Sequence, residues 1–206
     1  MFALKILLIM AIGYFIGSIS SAITMGKIYG IDIKKVGSGN AGATNTLRVF
    51  GKGAAIVVVF GDGLKGVVAV LVARLLTELV NPTNTTLPLY IAGLCVVLGH
   101  NFPLYFNFKG GKGVMTSAAV IFMLDWQIGI IVLICAISVM AISRYVSLGS
   151  CVGCLVYPAA VLLFHGEDIY FIILSFVMGA LAIYMHRTNI VRLVNGTESK
   201  LKFSKK

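Results

Sequence analysis

Two short segments concentrate side chains able to handle a phosphate. The first reads Val36-Gly37-Ser38-Gly39-Asn40-Ala41-Gly42-Ala43-Thr44-Asn45-Thr46-Leu47-Arg48. Its glycines let the backbone approach a ligand closely. Ser38, Asn40, Thr44 and Asn45 offer hydrogen bonds, and Arg48 offers a planar fork matched to a phosphate. Residues 41–50 are expected to form a short helix whose N-terminus faces the Gly-Ser-Gly turn, a position that favours an anion. The second segment reads Gly99-His100-Asn101-Phe102-Pro103 and continues to Phe108-Lys109-Gly110-Gly111-Lys112-Gly113. Three glycines around Lys112 at the start of a helix make a second phosphate cradle. A nucleotide-hydrolysing P-loop would need Ser or Thr after its lysine, and here Gly113 follows Lys112.

Other candidates are scattered. Asp62 and Lys65 stand three apart on one helical face inside an apolar run, where charge is costly. They form either a structural ion pair or a direct substrate contact. Ser147 follows Arg144 in a short turn and could donate to a ligand. His186, Asn189 and Leu193 share one side of a helix expected to continue the last apolar run. His186 is the only histidine expected to act near the polar segments, with Arg187 beside it. Glu198 is expected to anchor the tail through Arg or Lys. Cys151 and Cys154 form a C-x-x-C without a second cysteine pair or a histidine cluster, so they read as part of a packed helix. Neither a metal nor a cofactor is expected.

The elements that position these residues lie in lipid. Of 206 residues, 59% are hydrophobic and 12% charged. Soluble domains average about 45–50% and 25%. That balance excludes a soluble globular enzyme, a disordered polymer and a secreted disulfide scaffold. Apolar runs fall at 3–25, 54–80, 87–107, 114–124, 128–143, 147–165 and 168–185. The first is expected to be an uncleaved helix rather than a signal peptide, because it runs on to Met25 and meets a basic stretch. Seven crossings with the N-terminus outside place 14 of the 17 Lys and Arg residues on the inner side, the positive-inside pattern. The outer gaps then hold Arg74 with Glu78, Asp125, Glu167 and Asp168. The fourth run rises only ~16 Å, so it is expected to be a short or tilted helix starting within the preceding motif, or a re-entrant element. The whole chain is read as one all-α membrane domain, 1–206, with a basic cytoplasmic tail at 187–206 that suits anionic lipid.

Taken together, the motifs resemble the membrane-bound bacterial acyl-phosphate:glycerol-3-phosphate acyltransferase family. The first matches through Gly37-Ser38-Gly39-Asn40, Gly42-Ala43-Thr44-Asn45 and Leu47-Arg48. The second matches through Gly99-His100-Asn101-Phe102-Pro103 and Phe108-Lys109-Gly110-Gly111-Lys112-Gly113. The third matches through His186, Asn189-Ile190, Arg192-Leu193, Gly196 and Glu198. One departure is Ser20-Ser21, where the family often has proline, which bears on a helix bend.

The resemblance implies seven transmembrane helices and transfer of a fatty acyl group from acyl phosphate to the 1-hydroxyl of glycerol 3-phosphate. The products would be lysophosphatidic acid and phosphate, in the first acylation of phospholipid synthesis. It implies a monomer in the bacterial cell membrane, its site facing the cytoplasm, with membrane lipid but no nucleic acid as partner. Ser38, Thr44 and Ser147 are expected at the acyl-phosphate head. Arg48, Lys112, His186 and Asn189 are expected at glycerol 3-phosphate. Gly37, Asn40, Asn45, Lys65, Lys109, Gly110, Gly111, Gly113 and Arg187 are expected to complete the substrate-binding set, with Asp62 and Glu198 structural. Ser38, His186 and Asn189 are the catalytic candidates. Two groups remain open as the base, His186 and a phosphate of the substrate, of which the second is preferred. A transporter of a phosphorylated metabolite is the alternative function.

Overall fold

The computed structural model describes residues 2–78 and 86–201. Asn81-Pro82-Thr83-Asn84, after the second apolar run, and Lys202, Lys205 and Lys206 of the basic tail lie outside the described residues. Among the described residues the regular structure is entirely helical. The chain divides into two compact units after Leu124. The first holds α1 (Phe2–Ser18), α2 (Ser21–Ile28), α3 (Ala43–Phe50), α4 (Lys52–Glu78), α5 (Thr86–Asn101), a 3-10 turn (Leu104–Phe106) and α6 (Val114–Leu124). The second holds α7 (Trp126–Ser143), α8 (Val146–Phe164), α9 (Ile169–Met185) and α10 (Arg187–Val194).

Each apolar run is mostly helical over its described residues, but they are not equally able to cross a bilayer. Five segments are long and apolar enough: Ala3–Ile28, Lys52–Glu78, Thr86–Phe106, Trp126–Ser143 and Val146–Phe164. A sixth arises if α9 and α10 count as one span bent by 60°. The run at 114–124 forms only an 11-residue helix. It starts directly after Gly113 rather than within the glycine motif. The first span breaks at Ile19 and Ser20, where the Ser20 hydroxyl accepts from Ile23 N–H at 3.3 Å and caps α2.

Apolar helices in lipid gain little from the hydrophobic effect when they meet, so close packing by small residues matters more. In the first unit α1 lies along α5, with Gly17 against the Val96 backbone and Gly99 against the Tyr14 carbonyl. A side chain at either glycine would separate the helices. Gly66 brings α4 within reach of the Thr116 carbonyl on α6, where a Cβ would come within 2.8 Å. In the second unit Gly149 and Gly153 seat α8 on α7, and Gly179 seats α9 on α8. Large apolar side chains such as Phe60, Ile142 and Leu163 stay exposed, as a lipid-facing surface requires.

Two acids of the gaps cap helices. Asp125 accepts from Gln127 and Ile128 N–H at 2.8 and 3.0 Å and starts α7. Asp168 accepts from Phe171 N–H at 2.9 Å and starts α9. Both place negative charge at a helix N-terminus, where the dipole favours it. Asp125 also lies 2.6 Å from His165 Nε2. Burial opposes its ionisation. The Ile128 N–H, the His165 ring and the Gln127 N–H outweigh that cost and hold the carboxyl below the usual aspartate range.

Candidate active site

In the first unit the Gly37 segment is braced by one side chain. Asn45, on the first turn of α3, is 1% exposed. Its Oδ1 accepts from Ser38 N–H at 2.7 Å, and its Nδ2 donates to the Ile33 and Val36 carbonyls at 3.1 Å each. All three of these bonds go to backbone of the segment or of the residues leading into it, so Asn45 shapes the loop. Gly37, at φ 61°, packs directly against the Asn45 amide, which is a place for no side chain. The α3 start is closed by the Gly42 carbonyl, which accepts from Asn45 N–H, Thr46 N–H and the Thr46 hydroxyl. What remains outward is Ser38, exposed at the turn, Thr44, half-buried, and Arg48, exposed on α3. Asn40 is half-buried, and its carbonyl accepts from Gly42 N–H at 3.0 Å.

The second segment folds back on the end of α5. Gly110 N–H donates to the Asn101 carbonyl and Gly111 N–H to the His100 carbonyl, both at 3.1 Å. Those two N–H groups are therefore committed to the protein. Beyond Lys112, Gly113 turns the chain at φ 78° into α6. Gly111 sits where three pieces meet. A Cβ there would run into His100 Nε2 and come within 2.6 Å of the Ala41 carbonyl. This contact joins the two glycine-rich segments. Lys109 is exposed, while Lys112 is half-buried.

Below this junction, Asp62 and Lys65 pair at 3.0 Å, as their spacing predicts. His100 joins them, with Nδ1 2.6 Å from Lys65 Nζ. Of the histidines, His186 alone is expected from the sequence near the polar segments. His100 also stands there, and its partners are 35 and 38 positions away in the chain, too far for local spacing to reveal.

In the second unit the tail turns back on α8. The helix expected to continue beyond Met185 instead bends by 60° at His186. His186 is 2% exposed, and its Nδ1 donates to the Ala182 carbonyl at 2.8 Å. In the neutral ring that places the lone pair on Nε2. Arg187 donates to the Tyr184 carbonyl at 3.0 Å and stacks on the Tyr184 ring. Glu198 collects three donors: Asn189 Nδ2 at 2.7 Å and Ser147 Oγ at 2.9 Å on Oε1, and Arg192 Nε at 2.7 Å on Oε2. Burial opposes ionisation of Glu198, but the bonds from Arg192, Asn189 and Ser147 outweigh it and hold the carboxyl below the usual glutamate range. The expected Arg anchor is thus Arg192, and two candidate substrate residues share it. Among the described residues no group of His, Cys, Asp and Glu could hold a metal ion. The four cysteines are free thiols.

Long apolar helices joined by glycine-rich polar turns define a polytopic integral membrane protein. The chain belongs to the glycerol-3-phosphate acyltransferase family, which it matches over residues 7–196, and it is a membrane acyltransferase. It is 42% identical to the glycerol-3-phosphate acyltransferase of Clostridioides difficile (strain 630) over 95% of each chain. The identity is 45% with that of Shouchella clausii (strain KSM-K16), over 92% of each chain. Among solved structures it resembles the crystal structure of PlsY, an integral membrane glycerol 3-phosphate acyltransferase, in its glycerol 3-phosphate form. There the TM-score is 0.87, at 34% identity over 96% of each chain. The lysophosphatidic acid form of PlsY gives a TM-score of 0.84 at 34% identity, over 96% of this chain and 95% of that one.

Proposed function

We propose that this acyltransferase moves a fatty acyl group from acyl phosphate to the 1-hydroxyl of glycerol 3-phosphate, giving lysophosphatidic acid and inorganic phosphate. One observation carries the reading. The Ser38 to Arg48 stretch and the 110–113 loop meet at Gly111, so two segments suited to phosphate adjoin. The glycerol 3-phosphate and lysophosphatidic acid forms of PlsY support the same substrate and product.

The chemistry asks little of the protein. The glycerol 3-phosphate hydroxyl oxygen forms a bond to the acyl carbonyl carbon. The carbon–oxygen bond to phosphate breaks, and phosphate leaves with the electron pair. The hydroxyl proton passes to a phosphate oxygen of the substrate, with His186 Nε2 as the competing acceptor. Catalysis is then positioning and stabilisation of charge on the developing oxyanion and leaving phosphate. Ser38 and Thr44 serve the acyl-phosphate head in this scheme, while Arg48, Lys109 and Lys112 serve phosphate charge. In the second unit His186 and Asn189 are assigned to glycerol 3-phosphate, and Ser147 to the acyl donor. The charge distribution supports seven crossings, an external N-terminus and motifs on the cytoplasmic face of the bacterial cell membrane. The protein is read as a monomer working among lipids.

The test uses detergent-purified protein with acyl phosphate and glycerol 3-phosphate, following phosphate release and lysophosphatidic acid. Stoichiometric formation of both is expected. Product from acyl-CoA but not from acyl phosphate would overturn the donor. Product from neither would favour transport of a phosphorylated metabolite.

A further inference from the structure

We propose that His100 is a positioning residue for the acyltransfer site, held by Asp62 and Lys65 so that its ring supports the 110–113 loop. This rests on the reading of that loop as a receiver of substrate phosphate.

Lys65 Nζ has three contacts: Asp62 Oδ1 at 3.0 Å, the Ile19 carbonyl at 2.9 Å and His100 Nδ1 at 2.6 Å. An ammonium has three donors and no acceptor, so each contact uses one. Nδ1 must therefore accept, which puts the ring hydrogen on Nε2 in the neutral imidazole. Ser21 adds a bond to Asp62 Oδ1 at 3.1 Å. Asp62, Lys65 and His100 are 3%, 6% and 6% exposed.

The protonated edge of the ring lies against Gly111, and the His100 carbonyl accepts the Gly111 N–H. On the far side of the loop, the Thr116 hydroxyl of α6 donates to the Asp62 carbonyl at 2.9 Å. One turn of α4 thus holds the chain both before and after the loop. Packing alone would be served as well by apolar residues, since a buried ion pair contributes little net stability over an apolar replacement of similar volume. The polar chain makes sense where the orientation of one ring edge matters.

The test compares His100→Asn, Asp62→Asn and their double variant with the wild type, as purified full-length protein. Asn at 100 keeps an acceptor for Lys65 and removes the edge against Gly111. Kinetics for glycerol 3-phosphate are measured with whichever acyl donor the wild type uses, alongside thermal melting. We expect KM for glycerol 3-phosphate to rise about tenfold or more with kcat changed less than about threefold, and the double variant to be no worse than His100→Asn. Wild-type KM in His100→Asn would overturn the proposal. So would a loss confined to kcat, or losses in all variants that track the folded fraction. If acyl phosphate supports no turnover while another donor does, the proposed reaction fails but this KM comparison still stands.

Discussion

Asn189 and Glu198 are joined by a 2.7 Å hydrogen bond that closes the turn after α10. The same carboxylate oxygen accepts from Ser147, and its partner oxygen from Arg192. One acid therefore orients two side chains read as substrate contacts.

Glu198→Ala should destabilise the protein by about 1–3 kcal/mol, the usual effect of leaving buried donors without their acceptor, and should lower turnover. The pH dependence has a definite sign. The folded-state pKa of Glu198 lies below its ordinary value, so its contribution is complete above about pH 4.3. It is lost as pH falls through the lower, folded value. Melting temperature against pH should show this acid limb in the wild type, and Glu198→Gln should flatten it.

Asn45→Ala removes three hydrogen bonds at once, each worth about 1 kcal/mol net. Limited proteolysis should then cut near residues 36–42, and activity should fall to background. Asn45→Asp keeps the acceptor for Ser38 N–H but sets a carboxylate oxygen against the Ile33 and Val36 carbonyls in a buried site, so it should be cut at least as readily as Asn45→Ala.

Arg48 is exposed on α3, and among the described residues it has no ion pair. Arg48→Ala should leave the melting temperature within a degree or two, since exposed positions away from special contacts change stability by at most about 0.5 kcal/mol. Activity should drop by a hundredfold or more, on the order expected for losing one charged transition-state contact. Near-normal turnover would remove Arg48 from the phosphate site.

Asp125→Ala takes away the cap of α7 and the partner of His165. A loss of about 1 kcal/mol is expected from the cap alone, with turnover per folded molecule unchanged. Because the Asp125 carboxyl is held below its ordinary range, its contribution is full above about pH 3.9 and fades as pH falls through the folded value. Thermal melts of wild type and variant should converge there.

Much of the helical layout follows from local pattern. Apolar runs bounded by charge became helices, and the i, i+3 spacing of Asp62 and Lys65 became an ion pair. The resemblance likewise led to the family. Other features depended on distant partners. His100 meets Lys65 through the packing of α5 on α4, which no spacing encodes. The 60° bend at His186 falls between Gly179 and Gly196, with no Pro or Gly in between, so local propensity would carry the helix through. Asn45 looked like a ligand because its side chain is polar within a glycine-rich turn, yet its amide faces inward. The short helix expected at 114–124 is found, 11 residues long, because the length of an apolar run is itself written in the sequence.

The Asn45 brace has a thermodynamic consequence. Fixing a loop residue costs about 1–2 kcal/mol of conformational entropy, and a phosphate site that ordered only on binding would subtract that from its affinity for every residue it froze. Here the turn around Ser38 is set when the protein folds, by bonds that involve no ligand. With phosphate received there as proposed, affinity is set by stripping water from phosphate and cations, and should weaken with ionic strength far more than it changes with loop-stiffening substitutions.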